Sequence, residues 1–368
     1  MDKLRVLLIV AVLAAFGVAG CGDDDDDGGD GGGAATSQSA DVELFEQMTP
    51  APDTEEVDTS EFRKDGDLTI GFSDISLVNS WRVQARREAE MVADDLGVEL
   101  KVTDAGGDAT KQIADIEDLL AQNVDALVVT PVAPKPVAPA IERAAEAGIP
   151  VILWSTKADT DQYTAGVFAD EVYFGQAGAE QLAEDMGGKG KVIMLRGIAG
   201  VSVDDDRYNG AKEALEEYPD IEIVGEEYGD WAFEKGKAAA ENLLAAHPQI
   251  DGVWSSGAEM TRGAIEAFEE AGRDLVPMSG EHNNGFLKLW EKTGIKSVAP
   301  ITPTWMAPEA VKLAVLALRG EPIQKDYVVK PDPITADTLG EFVKPNLSDD
   351  LWPEGYLTDA QAKEIFPK

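Results

Sequence analysis

Tryptophans are concentrated in the loops that follow the predicted strands of this 368-residue chain. Trp81, Trp154, Trp231 and Trp305 stand at such positions and make up four of its seven tryptophans. An indole at a loop tip exposes a large apolar surface to water, which is costly unless the ring covers something. These loops are therefore predicted to line a ligand-binding surface.

Residues for covalent or metal catalysis are sparse. The chain has two histidines, His247 and His282, and a single cysteine, Cys21. No G-x-S-x-G elbow occurs, and the segment 71–73 lacks the spaced glycines of a dinucleotide site. So few histidines and cysteines give little support to a catalytic triad or a zinc centre. We expect no cofactor, no metal and no enzymatic activity; an exported enzyme would need a nucleophile and base in the site.

Short apolar runs alternate with amphipathic segments from Leu68 onward. Strands are predicted at 68–72, 98–102, 126–130, 150–154, 164–168, 191–195, 221–224, 252–254 and 275–278. Helices of ten to fifteen residues separate strands in βαβ units, whose parallel sheets are covered on both faces. Two such runs predict two doubly wound α/β lobes. In open sheets of this kind the ligand lies beyond the carboxyl ends of the strands, where the tryptophan-bearing loops are.

The amino terminus has the pattern of a secretory signal peptide. Lys3 and Arg5 precede an apolar stretch of thirteen residues, 6–18, and small residues follow it. This stretch is shorter than the roughly 20 residues that a membrane-spanning helix needs. The small-small-Cys ending at Cys21 resembles a bacterial lipobox. Residues 1–20 are therefore predicted to be a lipoprotein leader, with Cys21 lipidated and the protein held at the outer face of a membrane.

The formal net charge is −39, and it restricts the partners of this chain. Nucleic-acid binding requires clustered Lys and Arg, so this acidic charge argues against it. The charge argues equally against binding to anionic lipid through a basic patch. Residues 22–61 contain no Lys or Arg and begin with a run of Gly and Asp. Such a segment repels itself and buries little, so residues 21–65 are predicted to be a solvated tether.

Between about Leu68 and Leu318 the chain resembles the periplasmic sugar-binding proteins of ABC transporters, in the ribose- and galactofuranose-binding branch. The stretches that carry the resemblance are 70–73 with Trp81-Arg82, 124–131, 147–151, 200–207, 229–231 with 235–237, 263–265, 271–272 and 302–303. Each is short, but their order and spacing over more than two hundred residues are specific. The resemblance implies two lobes of the type I fold joined by three crossovers, which close on a ligand.

The resemblance also implies roles for individual residues. Trp81 matches an aromatic residue that stacks on the sugar, and Arg82 matches a neighbouring cation. Arg207 matches an arginine that hydrogen-bonds hydroxyl groups, and Trp231 an aromatic residue of the opposite lobe. These residue types suit a sugar, because its apolar faces stack on aromatic rings and its hydroxyls accept from planar charged donors.

Three loops depart from the family pattern and add candidate site residues. The Asp-Arg clamp that usually follows the fourth strand is replaced here by Ser155-Thr156, with Trp154 before it. Glu259 ends a stretch where the family often has Asn-Asp-Asp, and His282, with Glu281 beside it, stands near a family aspartate. Trp305 and Asp170 are further candidates, although Asp170 could simply cap a helix. The ligand could therefore be a sugar or polyol, or instead a nucleoside, an aromatic molecule or a cationic amine.

The predicted organisation follows from these features. Residues 66–160 with about 301–326 are expected to form the N-terminal lobe, 161–300 with about 327–345 the C-terminal lobe, and 346–368 an irregular surface tail. The expected function is lipid-anchored capture of a small polar molecule for an ABC permease, by a monomer. A receptor lobe that reports its ligand to a membrane sensor is the alternative.

Overall fold

A computed structural model describes residues 42–367 of the chain. The predicted leader, Cys21 and the Gly/Asp-rich run lie outside the described residues. Within 42–367 the strands are β1 (Met48–Pro50), β2 (Glu56–Val57), β3 (Thr69–Asp74), β4 (Glu99–Asp104), β5 (Ala126–Val129), β6 (Val151–Trp154), β7 (Ala165–Ala169), β8 (Lys189–Arg196), β9 (Asp220–Tyr228), β10 (Gly252–Ser255), β11 (Met278–Ser279), β12 (Ser297–Val298), β13 (Ile323–Gln324) and β14 (Asp326–Val329).

Helices separate most of these strands, as the alternating pattern predicts. They are α1 (Ser80–Leu96), α2 (Ala109–Ala121), α3 (Pro134–Glu146), α4 (Glu171–Asp185), α5 (Ser202–Glu216), α6 (Phe233–Ala246), α7 (Ala258–Glu270), α8 (Asn284–Thr293), α9 (Met306–Arg319), α10 (Leu339–Phe342) and α11 (Asp359–Ile365). Among the residues described, none of these helices combines the length and apolar character needed to cross a bilayer.

Most of the described strands form two largely parallel sheets, one in each lobe, and β2 and β13 form a separate antiparallel pair. The first has the order β1-β14-β7-β6-β5-β3-β4 and is parallel except for β1, which pairs antiparallel with β14. The second has the order β12-β11-β10-β8-β9 and is parallel throughout. Central strands such as β5 and β6 are buried along their whole length, because helices cover both faces of the sheet. The predicted class, two doubly wound α/β lobes, is confirmed.

Strand pairing corrects the predicted lobe boundaries. β7 pairs with β6 on one side and with β14 on the other, so β7 and β14 both belong to the first sheet, whereas the prediction placed them in the second lobe. The chain therefore leaves the first lobe after Ala169, and not near residue 160. The alternating pattern shows where strands lie, but it does not show which sheet a strand joins.

Residues 42–62 also differ from the prediction of a solvated tether. β1 extends the first sheet, and Phe45 stacks on Trp305 with ring centroids 4.8 Å apart. The Phe45 amide donates to Glu309 of α9 at 3.0 Å. Val42, Leu44 and Met48 pack against the core of the protein. These few apolar residues are enough to dock an otherwise acidic segment onto the first lobe.

The chain passes between the lobes at four places. It enters the second lobe after β7, returns between β12 and α9, and leaves the first lobe again after β14. The fourth passage is made by residues 344–356, here called the strap, which bond first to α8 and then to α1. Residues 346–368 were predicted to be an irregular surface tail, and for the part that lies in the strap this differs from the structure, since Trp352 is only 3% exposed.

Candidate functional site

A cleft lies between the two lobes, beyond the carboxyl ends of their strands. Its walls come from the first lobe, the second lobe, the return crossover and the strap. The lining residues are Ile75, Ser76, Val78, Asn79, Trp81, Arg82, Ser155, Glu171, Ile198, Val201, Val203, Arg207, Trp231, Gly257, Ala258, Glu259, Glu281, Thr302 and Trp352. Six of the ten predicted site residues are therefore brought together here: Trp81, Arg82, Arg207, Trp231, Glu259 and Glu281.

Trp81 is held in the first turn of α1. The helix begins after Asn79, whose side chain accepts a hydrogen bond from the Arg82 amide as an N-cap. The Trp81 indole donates to the Thr302 carbonyl at 2.7 Å, which fixes the ring to the return crossover. Its inner face stacks on Trp154 at 5.9 Å, so the ring is rigid and presents its remaining surface to the cleft.

Arg82 follows Trp81 and lies over two indoles. Its guanidinium carbon is 4.9 Å from the Trp81 ring centroid and 5.2 Å from that of Trp154. Its nearest polar neighbours are distant, with the Ser155 hydroxyl at 3.5 Å and the Asp74 carboxylate at 4.0 Å. Burial lowers the pKa of Arg82 and raises that of Asp74 to about 6. Arg82 Nη1 and Asp74 Oδ2 are buried without a hydrogen-bond partner among the described residues.

Arg207 in α5 is the centre of a buried hydrogen-bond network. It donates to Glu171 at 2.6 Å and to Glu281 at 3.2 Å, to the Ser256 carbonyl at 2.6 Å, and to the Thr302 hydroxyl at 2.7 Å. The network joins both ends of the second lobe, because Glu171 follows the first crossover and Thr302 lies in the return crossover. Arg207 therefore positions the hinge as well as lining the cleft.

The two carboxylates beside Arg207 are not equivalent. Burial raises the pKa of Glu281 to about 7, although Arg207 opposes this shift. Glu171 keeps one oxygen, Oε1, buried without a partner among the residues described. That oxygen is an acceptor at the wall of the cleft, opposite in character to the unpartnered donor of Arg82.

Trp231 forms the aromatic wall of the second lobe. Asp230 and Trp231 both have positive φ, 52° and 51°, which non-glycine residues rarely adopt. The indole fits against the backbone of Gly197 and Gly257, where added Cβ atoms would lie 2.1 and 2.6 Å from ring atoms. Its Nε1 donates to Ser256 at 3.0 Å. The strained turn and the two glycines therefore hold this ring in a single position.

Glu259 connects the lobes at the cleft. Its carboxylate accepts a hydrogen bond of 2.8 Å from Ser80 in α1, and the Ser80 hydroxyl accepts one of 2.9 Å from the Trp352 indole. Burial raises the pKa of Glu259 above its usual value. This chain of bonds runs from the second lobe through the first lobe to the strap.

Four predicted site residues, Trp154, Asp170, His282 and Trp305, are not among the residues that line the cleft. Trp154 and Trp305 have no exposed surface and pack behind Trp81 and on Phe45, respectively. His282 is fully buried, and this burial lowers its pKa to about 3, so its ring is neutral. Asp170 caps α4 by accepting from the Tyr173 amide, which is the structural alternative that its position in sequence already suggested.

Several lining residues were not predicted from the sequence. Ser76 and Asn79 lie in the loop after β3, which the strand-end rule does identify, but nothing in their type distinguished them from capping residues. Glu171 was not recognised as a site residue, because acids are common at the start of a helix. Trp352 gave no signal, because it follows no strand.

Two α/β lobes that enclose a polar and aromatic cleft at their strand ends define a two-lobed ligand-binding protein. The periplasmic binding protein domain model matches residues 70–322, and the chain belongs to this family of sugar-binding periplasmic proteins. The ribose import binding protein of Bacillus subtilis is 29% identical over 259 residues, which cover 70% of this chain and 84% of that protein.

Two further comparisons show the breadth of the family. The galactofuranose-binding protein of Escherichia coli is 32% identical over 212 residues, covering 56% of this chain and 67% of that one. The solved structure of a fructose-binding periplasmic domain from a hybrid two-component system has a TM-score of 0.70 at 27% identity, covering 74% of this chain and 92% of that one. The resemblance to the ribose- and galactofuranose-binding branch is thus confirmed.

Proposed function

We propose that this protein is a lipid-anchored extracytoplasmic binding protein that captures a sugar or polyol in the cleft and delivers it to an ABC importer. The observation that carries the proposal is a donor and an acceptor, Arg82 Nη1 and Glu171 Oε1, which have no hydrogen-bond partner among the described residues and belong to side chains that line a cleft walled by Trp81 and Trp231. A hydroxylated ring satisfies both polar atoms and offers an apolar face to an indole.

Capture without chemistry suits the composition of the cleft. Of the residues that line it, none is a histidine or a cysteine, so the lining supplies no imidazole base and no thiol nucleophile. Arg207, the group most able to polarise a substrate, is already bonded to four partners in its own network. The proposed mechanism is reversible closure of the lobes on a ligand that bridges them.

A thermal-shift screen tests the ligand class. The compounds are D-ribose, D-galactose, D-fructose, xylitol and myo-inositol, with adenosine, tyramine and choline as members of the competing classes. A ligand that binds only the folded state raises the melting temperature. At a ligand concentration a thousandfold above Kd, it raises the unfolding free energy by about 4 kcal/mol. Stabilisation by a sugar or polyol alone supports the proposal. Stabilisation only by adenosine, tyramine or choline overturns it.

Membrane attachment and export are tested separately. Cys21 follows small residues at the end of an apolar run, and it is the only cysteine of the chain. We expect the wild-type protein to sediment with membranes and to incorporate labelled fatty acid. The Cys21→Ala variant should do neither. Recovery of the wild-type protein entirely in the soluble fraction would contradict the anchor.

A sensor partner is the second candidate, because one similar solved structure is the periplasmic domain of a two-component system. The two functions differ in what depends on the protein. For an importer, deletion of the gene abolishes uptake of the radiolabelled compound found in the screen. For a sensor, uptake persists and only ligand-dependent transcription is lost.

A further inference from the structure

The strap, residues 344–356, is fixed first to the second lobe. The Asn284 side chain donates to the carbonyls of Lys344 and Ser348 at 2.9 and 2.8 Å and accepts from the Lys344 amide at 2.8 Å. Lys288 donates to the Leu347 carbonyl at 2.6 Å. Asn284 thus closes a ring of hydrogen bonds with the strap backbone, which sets where the strap leaves this lobe.

The strap is then fixed to the first lobe by two buried side chains of α1. Gln84 donates to the Trp352 carbonyl at 2.8 Å and accepts from the Trp352 amide at 2.9 Å. One turn later, Glu88 accepts from the Tyr356 amide at 3.0 Å. Gln84 and Glu88 have no exposed surface, and buried polar groups need partners. The strap supplies partners to the Gln84 amide and to Glu88 Oε1, and these bonds specify its position on α1.

The same backbone clamp determines where the Trp352 ring lies. Its Nε1 donates to Ser80, and its ring meets the buried His282 ring in an edge-to-face arrangement at a centroid distance of 5.1 Å. Trp352 is 3% exposed and is one of the residues that line the cleft. Trp352 is thus oriented by contacts on its backbone, its indole nitrogen and its ring.

We propose that Trp352 is a ligand-contacting, specificity-determining residue that the strap adds to the cleft as a third aromatic wall beside Trp81 and Trp231. This inference rests on the proposed function. The family model ends at residue 322, thirty residues before Trp352. A rigid indole at this wall narrows the range of ligand shapes that the cleft accepts.

Labelling the seven tryptophans with 5-fluorotryptophan gives a direct test by ¹⁹F NMR. Each resonance is assigned by its Trp→Phe variant, and the protein is titrated with D-ribose, xylitol and myo-inositol in turn. Shifts at Trp81, Trp231 and Trp352, with Trp254 and Trp290 unchanged, support the inference. Shifts at Trp81 and Trp231 without one at Trp352 overturn it and leave the proposed function intact. No shift at any tryptophan with a probe that raises the melting temperature overturns both.

Substitution then tests specificity. Trp352→Phe keeps an aromatic ring but loses the indole nitrogen and part of the stacking face. We expect it to weaken the best of the three probes about fivefold to tenfold and to change their order of affinity. Tyr356→Phe is the matched control, because it alters the strap away from the cleft and should change affinity less than twofold. An unchanged order of affinity in a folded Trp352→Phe protein would overturn the inference.

Discussion

The Ser80 hydroxyl of the first lobe donates a hydrogen bond of 2.8 Å to the Glu259 carboxylate of the second lobe. Both groups belong to helices that start at the cleft, α1 and α7, so this bond joins the two walls directly. It is a charge-assisted bond in a poorly hydrated place, and such bonds are stronger than neutral ones. This bond between the protein's own groups therefore helps to hold the two lobes in the described arrangement.

Replacing Ser80 with Ala should favour an open arrangement of the lobes. The substitution removes a hydrogen bond to a charged acceptor, worth about 1.5–3 kcal/mol, and leaves Glu259 without this donor. Small-angle scattering of the ligand-free protein should report a larger radius of gyration. Ser80→Thr keeps the hydroxyl and is the control. Identical scattering from Ser80→Ala and wild-type protein would show that the bond does not hold the lobes.

Replacing Arg207 with Ala should destabilise the fold as well as weaken ligand binding. The substitution leaves Glu171 and Glu281 buried without their cation, and breaking a buried ion pair in this way costs about 3–5 kcal/mol. Urea unfolding measures the loss. In the double variant Arg207→Ala/Glu281→Gln, part of the loss should be recovered, because one buried charge is removed. Equal stability of Arg207→Ala and wild-type protein would contradict the network.

The unfolding free energy should depend on pH through Glu88, the α1 residue that accepts a hydrogen bond from the strap. Burial raises the pKa of Glu88 to about 7 from 4.5, so between these values the folded protein holds a proton that the unfolded chain has lost. The unfolding free energy therefore falls as pH rises through this range, by up to about 3 kcal/mol from this group. Glu88→Gln should show a smaller decrease between pH 5 and 8 than wild-type protein. Parallel pH profiles would contradict the assignment.

Close packing of α4 against α5 predicts intolerance of a single methyl group. A Cβ at Gly175 would lie 1.9 Å from the Arg207 carbonyl oxygen, so the helices would have to separate. We expect Gly175→Ala to lower the unfolding free energy by about 1–3 kcal/mol, although Ala otherwise favours a helix. Gly340→Ala is the matched control, since its added Cβ meets no atom within 4 Å apart from its chain neighbours and its own helix backbone. Equal melting temperatures for the two variants would refute the packing argument.

The local periodicity of the chain was sufficient to predict the fold class. The central strands of the two sheets, β3, β5, β6, β8 and β10, lie where apolar runs predicted strands, and helices separate them as expected. Long-range pairing was not predictable in the same way. β7 reads like any buried strand, and only its ladder with β6 and β14 shows that it belongs to the first sheet.

The sequence indicated residues that line the cleft only where they lie in loops that follow strands. Trp81, Arg207 and Trp231 follow strands in sequence and line the cleft in space. Trp305 also lies near a crossover, but its indole packs on Phe45, because a large ring at a loop can serve the core as well as a ligand. Trp352 is held at the cleft in part by the buried amide of Gln84, and a polar residue inside a helix gives no sign of such a role.

The short antiparallel strand β1 also protects the rest of the first sheet. Without it, the backbone groups of β14 would form an open edge of a largely parallel sheet, which is a template for pairing with another chain. β1 has three residues and ends in Pro50, which lacks an amide hydrogen. The new edge is therefore too short and too poor in donors to recruit a further strand. The acidic segment that contains β1 thus covers a sheet edge that would otherwise favour aggregation.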